Sequence, residues 1–257
     1  MYYKNNTMTL YYEKFGKNKK TILILPGWGD TRKTFDYLIE NLKQEHTIYI
    51  FDYPGFGKSI FPNKDITIYD YEEYFKDFIQ EKKLTNLTII GHSFGGRIAI
   101  LLTSIDKIKV KNIILMDAAG IKPKKTWKQY LRQTLYKTLK KVRYLLPKNI
   151  KKHYQRWLLK KFSSADYQAL PPEMMTTFRN VVNEDLRKYL PNIHTEVLLI
   201  WGENDIDTPL ADGKIMEKEI KEAALITIHH ATHYCYLEQP LLILRIIKQF
   251  LQEQTLK

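Results

Sequence analysis

Five short runs along the chain are almost uninterruptedly apolar: TILIL from Thr21, TIYIF from Thr47, LTII from Leu87, NIILM from Asn112 and VLLIW from Val197. Runs this short without polar alternation suit strands buried on both faces. Between several of them lie segments with helical spacing, such as YDYEEYFKDFIQEKK from Tyr69 and GGRIAILLTS from Gly95. Strands alternating with helices predict an α/β fold, a mostly parallel central sheet flanked by helices. The segment MTLYYEKFG from Met8 alternates apolar and polar positions and predicts an antiparallel edge strand.

The rhythm lapses between about Gly120 and Leu190, where no strand-like run occurs. Trp127, Leu131, Leu135, Leu139, Val142 and Leu146 recur there at intervals of four, four, four, three and four residues, one apolar helical stripe. The pattern predicts a core made of residues 1–119 and 191–257, with an all-helical cap, or lid, inserted over 120–190.

With 257 residues, 44% of them hydrophobic, the chain can bury a sizeable core in one large domain. Cys235 is the single cysteine, which excludes an intramolecular disulfide and a cysteine-built zinc cage and fits a reducing compartment. The opening MYYKNNTMTLYYEKFGKNKK has no secretory apolar core, and no uncharged run is long enough to cross a bilayer. The expectation is a cytoplasmic protein, with a peripheral place at the inner membrane face as the variant of it.

Gly91-His92-Ser93-Phe94-Gly95, followed by Gly96, is a G-x-S-x-G sequence between a predicted strand and a predicted helix. A strand turning abruptly into a helix forces the serine into strained backbone geometry and presents its hydroxyl at the sheet edge. The next N–H, on Phe94, falls at a helix N-terminus, where it can stabilise an oxyanion. Such a serine needs a base, and the base needs an acid to orient it. VLLIWGENDIDTP carries Asp205 into a loop after a buried strand, and ITIHHATHYCYLEQP does the same for His233. The order Ser93, Asp205, His233 differs from that of the chymotrypsin and subtilisin folds.

With these residues the chain resembles the α/β-hydrolase superfamily, its capped serine-hydrolase, carboxylesterase-like branch, over nearly its whole length. LILPGWGDT is similar to the family's oxyanion turn, which implies the Trp28 N–H as second oxyanion donor, with Gly27 and Gly29 shaping the turn. Pro26 stands where the family usually has histidine. DYPGFGKS from Asp52 resembles a second family loop, and Gly202–Asp205 with His233–Pro240 resembles the loops for acid and base. The resemblance implies a Ser93–His233–Asp205 hydrolase of a carboxylic ester or thioester with a hydrophobic acyl part, needing neither metal nor organic cofactor. Carbon–carbon hydrolases and acyltransferases reuse the same triad, and a non-catalytic relative would act through its lid alone. A serine at the elbow disfavours the branches that use a carboxylate nucleophile, the epoxide hydrolases and haloalkane dehalogenases.

Asp207, two residues beyond Asp205, and Asp117, after the NIILM strand, are alternative acids. Spacing from Trp201-Gly202 favours Asp205, by analogy. His92 is expected to pack under the serine turn, and Trp28, Phe94 and Tyr234 to line an apolar mouth for a small-molecule acyl substrate.

The formal charge of +13 is local. Residues 122–161 hold 15 Lys or Arg, and no Asp or Glu occurs between Ala118 and Ala165. Outside that stretch basic and acidic residues nearly cancel. A basic lid is first of all a solvated face. Its functional readings are an anionic membrane surface, an envelope polymer, an acidic partner such as an acyl carrier protein, or attraction of an anionic substrate. No recognition motif points to nucleic acid.

Overall fold

A computed structural model of the chain describes residues 1–62, 64–105, 108–122, 127–162, 167–168 and 170–253. The chain forms two compact units, one of Met1–Ile121 with the segment from Asn180 onward, the other of Lys122–Arg179.

The first unit is built on an eight-stranded sheet. Its strands are β1 (Tyr2–Lys4), β2 (Thr9–Phe15), β3 (Thr21–Leu25), β4 (Thr47–Phe51), β5 (Leu87–His92), β6 (Asn112–Met116), β7 (Glu196–Gly202) and β8 (Ala223–Ile228). They lie in the order β1-β2-β4-β3-β5-β6-β7-β8, antiparallel from β1 to β4 and parallel from there to β8. β2 is the alternating segment near the start of the chain, antiparallel as expected but not the edge strand, since it lies between β1 and β4. β1, which pairs with it, spans three residues and is too short to show a period.

The helices are α1 (Asp36–Leu42), α2 (Ile68–Glu81), α3 (Phe94–Ser104), α4 (Trp127–Val142), α5 (Lys148–Phe162), α6 (Met175–Val182), α7 (Leu210–Glu219), α8 (Cys235–Glu238) and α9 (Pro240–Glu253). Two apolar clusters explain why the inner strands read as unbroken runs. Leu23 and Leu25 of β3 join Ile89, Leu115 and Leu199 in a cluster completed by α2 and α3, whereas Ile22 and Ile24 join Ile90, Ile114 and Ile200 in one completed by α1 and α9. Alternate residues face alternate clusters, so both sets must be apolar. Helix α2 starts at a capping box, with Thr67 and Asp70 each bonding the other's backbone N–H.

β4 lies on one side of β3 and β5 on the other, so the connections leaving β3 and β5 run to opposite sides and open a crevice at the carboxyl ends of the strands. Arg97 of α3 is buried and donates to the carbonyls of Glu184 (2.7 Å) and Val182 (3.1 Å), fixing the segment that leads back to β7. Burial pushes its pKa down to about 10.

The second unit carries α4 and α5. Tyr154 Oη donates to the Leu139 carbonyl at 2.9 Å, Arg132 to the Lys161 carbonyl at 2.7 Å and Arg143 to Gln155 at 2.9 Å, so the two helices run antiparallel. Of the expected apolar stripe, Trp127, Leu131, Leu135 and Val142 are exposed, Leu131 and Leu135 by about half, whereas Leu139 is partly buried.

Candidate active site

Parallel strands deliver their C-terminal ends to one edge, and five of them carry chemistry there. β3 runs into the turn Gly27–Asp30, β5 into Ser93, β6 into Asp117, β7 into the loop holding Asp205, and β8 into the loop holding His233.

Ser93 has φ 47° and ψ −112°, a left-handed backbone that costs a non-glycine residue about 1–3 kcal/mol. The surroundings hold it there. Gly95 N–H donates to the Pro26 carbonyl at 2.9 Å, and Ala119 N–H donates to the Ser93 carbonyl at 2.9 Å. A Cβ at Gly95 would overlap the Leu25 carbonyl, and one at Gly96 would lie 2.5 Å from the Ala118 Cβ. Gly91 packs less tightly, with an added Cβ 3.0 Å from the Gly95 backbone.

Ser93 Oγ lies 3.0 Å from Nε2 of His233, and Nδ1 of the same ring lies 2.9 Å from Asp205 Oδ2. Asp205 is saturated with donors: Oδ1 accepts from the N–H groups of Asp207 (2.8 Å) and Thr208 (3.0 Å), and the Thr208 hydroxyl is 2.7 Å from Oδ2. Burial opposes ionisation of Asp205, but the hydrogen bonds from His233 and Thr208 outweigh it and hold the carboxyl below its usual range. Burial likewise works against the His233 imidazolium, and the bond and charge of Asp205 prevail, raising the ring's pKa above 6.5.

The two alternative acids sit differently. Asp207 is exposed and contributes its backbone N–H to Asp205. Asp117 is buried beneath the site, with Oδ1 accepting from Gly202 N–H at 2.7 Å and Oδ2 from Cys235 N–H at 3.4 Å. It therefore fastens the β7 end to the loop after His233. Burial raises its pKa to about 6.

Phe94 opens α3, so its N–H belongs to the first helical turn, where N–H groups lack intrahelical acceptors and the dipole is positive. Trp28 sits inside the turn closed by Asp30 N–H on the Gly27 carbonyl at 3.2 Å, with Gly29 at φ 83°. The Trp28 ring meets the Phe94 ring edge-on at 5.1 Å and the Phe56 ring at 5.5 Å. The DYPGFGKS loop thus places Phe56 against the Gly27–Asp30 turn. Phe94 itself is 3% exposed and packs on Tyr53 and Tyr71, so its ring belongs to the core and not to the mouth expected from the sequence. Trp28 and Tyr234 keep partial exposure.

Asp30 and Thr208 escaped the sequence reading, and His92, expected to pack under the serine turn, is buried there and bonded on both sides. Asp30 Oδ2 accepts from Gly27 N–H at 3.2 Å and lies 3.1 Å from Nδ1 of His92. His92 Nε2 lies 2.9 Å from the His233 carbonyl. Thr208 bridges Asp205 and the Asp117 carbonyl, which is 2.9 Å from its hydroxyl. The signals were positional: Asp30 follows the oxyanion glycines directly, and Thr208 ends the acid loop. Glu238, the acid of the H-x-x-x-x-E-x-P pattern, accepts from the Thr232 N–H at 2.8 Å and from its hydroxyl, closing the loop that carries His233.

Among the described residues, Asp205, Asp207 and His233 form a group whose ligand atoms lie within 4.8 Å of one another. Both His233 nitrogens already face Ser93 and Asp205, a use that competes with metal ligation.

The sequence profile described as alpha/beta hydrolase fold matches residues 20–240. A pimeloyl-(acyl-carrier protein) methyl ester esterase of Wigglesworthia glossinidia brevipalpis is 25% identical over 95% of this chain and 98% of its own. A putative esterase/lipase of Mycoplasma genitalium is 30% identical over 44% of each chain. The solved structure of an esterase from Exiguobacterium antarcticum superposes with a TM-score of 0.73 at 21% identity, covering 95% of this chain and 96% of that one.

Proposed function

Since the chain belongs to the alpha/beta hydrolase fold family, we propose that it is a serine ester hydrolase with Ser93 as nucleophile, His233 as base and Asp205 as the acid that orients it. The observation that carries this reading is the unbroken line from Ser93 Oγ through His233 to Asp205, with steps of 3.0 and 2.9 Å, ending on a serine held at positive φ.

In this reading the Ser93 hydroxyl gives its proton to His233 Nε2 as Oγ attacks the acyl carbon. Asp205 keeps the ring in the tautomer whose Nε2 is free to accept and stabilises the imidazolium that forms. The N–H groups of Trp28 and Phe94 take the oxyanion charge. His233 then protonates the leaving alcohol or thiol, leaving an acyl-Ser93. Water attacks that ester, gives its proton to His233, and releases the carboxylic acid and the Ser93 hydroxyl.

The substrate class is a carboxylic ester or thioester. Esterases among the relatives support it, and the carrier-protein methyl ester named for one of them makes such esters the first natural substrates to assay. The helical unit Lys122–Arg179, inserted between β6 and β7, is read as the cap that selects among acyl groups.

The test is hydrolysis of p-nitrophenyl esters of increasing acyl length by the wild type beside Ser93→Ala. The expected loss in the variant is about 10⁴-fold or more, with an unchanged circular dichroism spectrum. Most of the wild-type activity surviving in Ser93→Ala would overturn the assignment.

A further inference from the structure

Helix α4 has two distinct faces. Arg132, Tyr136, Leu139 and Arg143 turn toward α5: Arg132 and Arg143 reach its residues, Leu139 offers its carbonyl, and the Tyr136 ring lies 5.5 Å from that of Phe162. The stripe of Leu131, Leu135 and Val142 is a quarter to a third of a turn away and is not spent on that contact. These side chains are 55%, 50% and 37% exposed, and Tyr144 and Leu145, just beyond the helix, are 71% and 86% exposed. On α5, Ile150 and Trp157 stand seven residues apart, on one face, and are also exposed. Leu131, Leu135 and Val142 are neighbours on one helical face, and large apolar side chains left exposed side by side mark an interaction surface.

The charge on the same unit narrows the occupant. Lys137, Lys140 and Lys141 on α4 and Lys152, Arg156 and Lys160 on α5 are exposed. No acidic residue interrupts the sequence from 119 to 164. A second copy of this surface would bring like charges together. A partner that is merely acidic would satisfy the lysines and leave the leucines wet. An anionic bilayer answers both, with headgroups for the lysines and the acyl boundary for Leu131, Leu135 and Leu145, while tyrosine and tryptophan suit the interface between them.

We infer that α4, with the exposed end of α5, docks this protein peripherally on anionic phospholipid membranes. The inference is independent of the chemistry at Ser93. Among the described residues no helix is long and apolar enough to cross a membrane, so attachment through this surface is interfacial.

The experiment is co-sedimentation of the full chain with vesicles of phosphatidylcholine alone or mixed with phosphatidylglycerol, at low and high salt. Binding should rise with the phosphatidylglycerol fraction and fall with salt. Lys137→Ala with Lys141→Ala should lower the partition coefficient about twenty-five-fold, from about fivefold per charge. Leu131→Ser with Leu135→Ser should lower it at least as much while leaving the circular dichroism spectrum unchanged. Equal binding to neutral and anionic vesicles overturns the proposal, as does no binding to either. It is also overturned if the leucine variant binds as the wild type does, or if those leucines are needed only for self-association or for capture of an acidic carrier protein.

Discussion

The imidazole of His92 and the main-chain carbonyl of His233 are 2.9 Å apart, so the residue before the proposed nucleophile holds the loop that carries the proposed base. The other nitrogen of His92 meets Asp30, whose same oxygen receives the Gly27 N–H of the oxyanion turn. One buried ring therefore joins the three segments that the proposed acyl transfer needs in register. It touches none of the reacting atoms, which makes it a positioning residue.

His92→Phe keeps a ring of similar size and deletes both bonds. It leaves the Asp30 carboxylate and the His233 carbonyl without this partner, at about 1–3 kcal/mol for each buried group. We expect a lower Tm and a kcat reduced about ten- to a hundredfold, since small misplacements of a base are costly, with KM little changed. Steady-state kinetics on a soluble ester at saturating concentration separates the two. A raised KM with unaltered kcat would place His92 in substrate binding and contradict the positioning role.

The pH profile should carry the signature of the Asp205–His233 pair. His233 must be neutral to accept the serine proton, and Asp205 raises its pKa above 6.5, so kcat/KM should climb with pH to a plateau whose midpoint lies above 6.5. Asp205→Asn should move that midpoint to lower pH and depress the plateau by about 10⁴. The same pair affects stability. The part from His233 is full below 6.5 and is lost as pH rises through its raised pKa, whereas the part from Asp205 is lost as pH falls through its lowered one. Measuring rate and Tm over one pH series tests both signs.

The strands most deeply buried were the most legible, because a strand covered on both faces has to be apolar at every position, as TILIL and NIILM are. Ser93 and His233 were legible through turn chemistry and spacing. Asp30, Thr208 and the bond between His92 and the His233 loop were not, because hydrogen bonds between residues 62, 91 or 141 positions apart leave no period in a sequence. The α4 stripe shows a different limit. Its spacing predicted the helix correctly, but an apolar stripe says only that something must cover it, and the exposure of Leu131 and Leu135 is a fact of three-dimensional packing.

Three acids compete on paper for one role, and their surroundings predict three different outcomes. Asp205→Ala removes the bond to His233 and empties a site saturated by four donors, so it should cost the most activity. Asp207→Ala leaves the backbone N–H that serves Asp205 in place and should retain activity within about threefold, a surface change. Asp117→Ala frees the N–H groups of Gly202 and Cys235 and should lower Tm, with kcat down about tenfold through loosened loops. If Asp117→Ala matched Asp205→Ala in kcat and kept its Tm, the acid would be Asp117.

Gly95 offers the sharpest test of why the serine turn is built from glycines. Near the start of an exposed helix, replacing glycine with alanine stabilises by up to about 1 kcal/mol. At Gly95 the sign should reverse, because the new Cβ would overlap the Leu25 carbonyl and crowd that of Pro26, both main-chain atoms that cannot swing aside. Helix α3 would have to withdraw from the end of β3, carrying Phe94 away from the oxyanion turn and stretching the Gly95 N–H bond to Pro26. We expect Gly95→Ala to lower Tm by several degrees, equivalent to about 1–3 kcal/mol of overpacking, and to slow labelling of Ser93 by a fluorophosphonate at least tenfold. Labelling at the wild-type rate with an unchanged Tm would show that the helix and strand end are not held at the separation described.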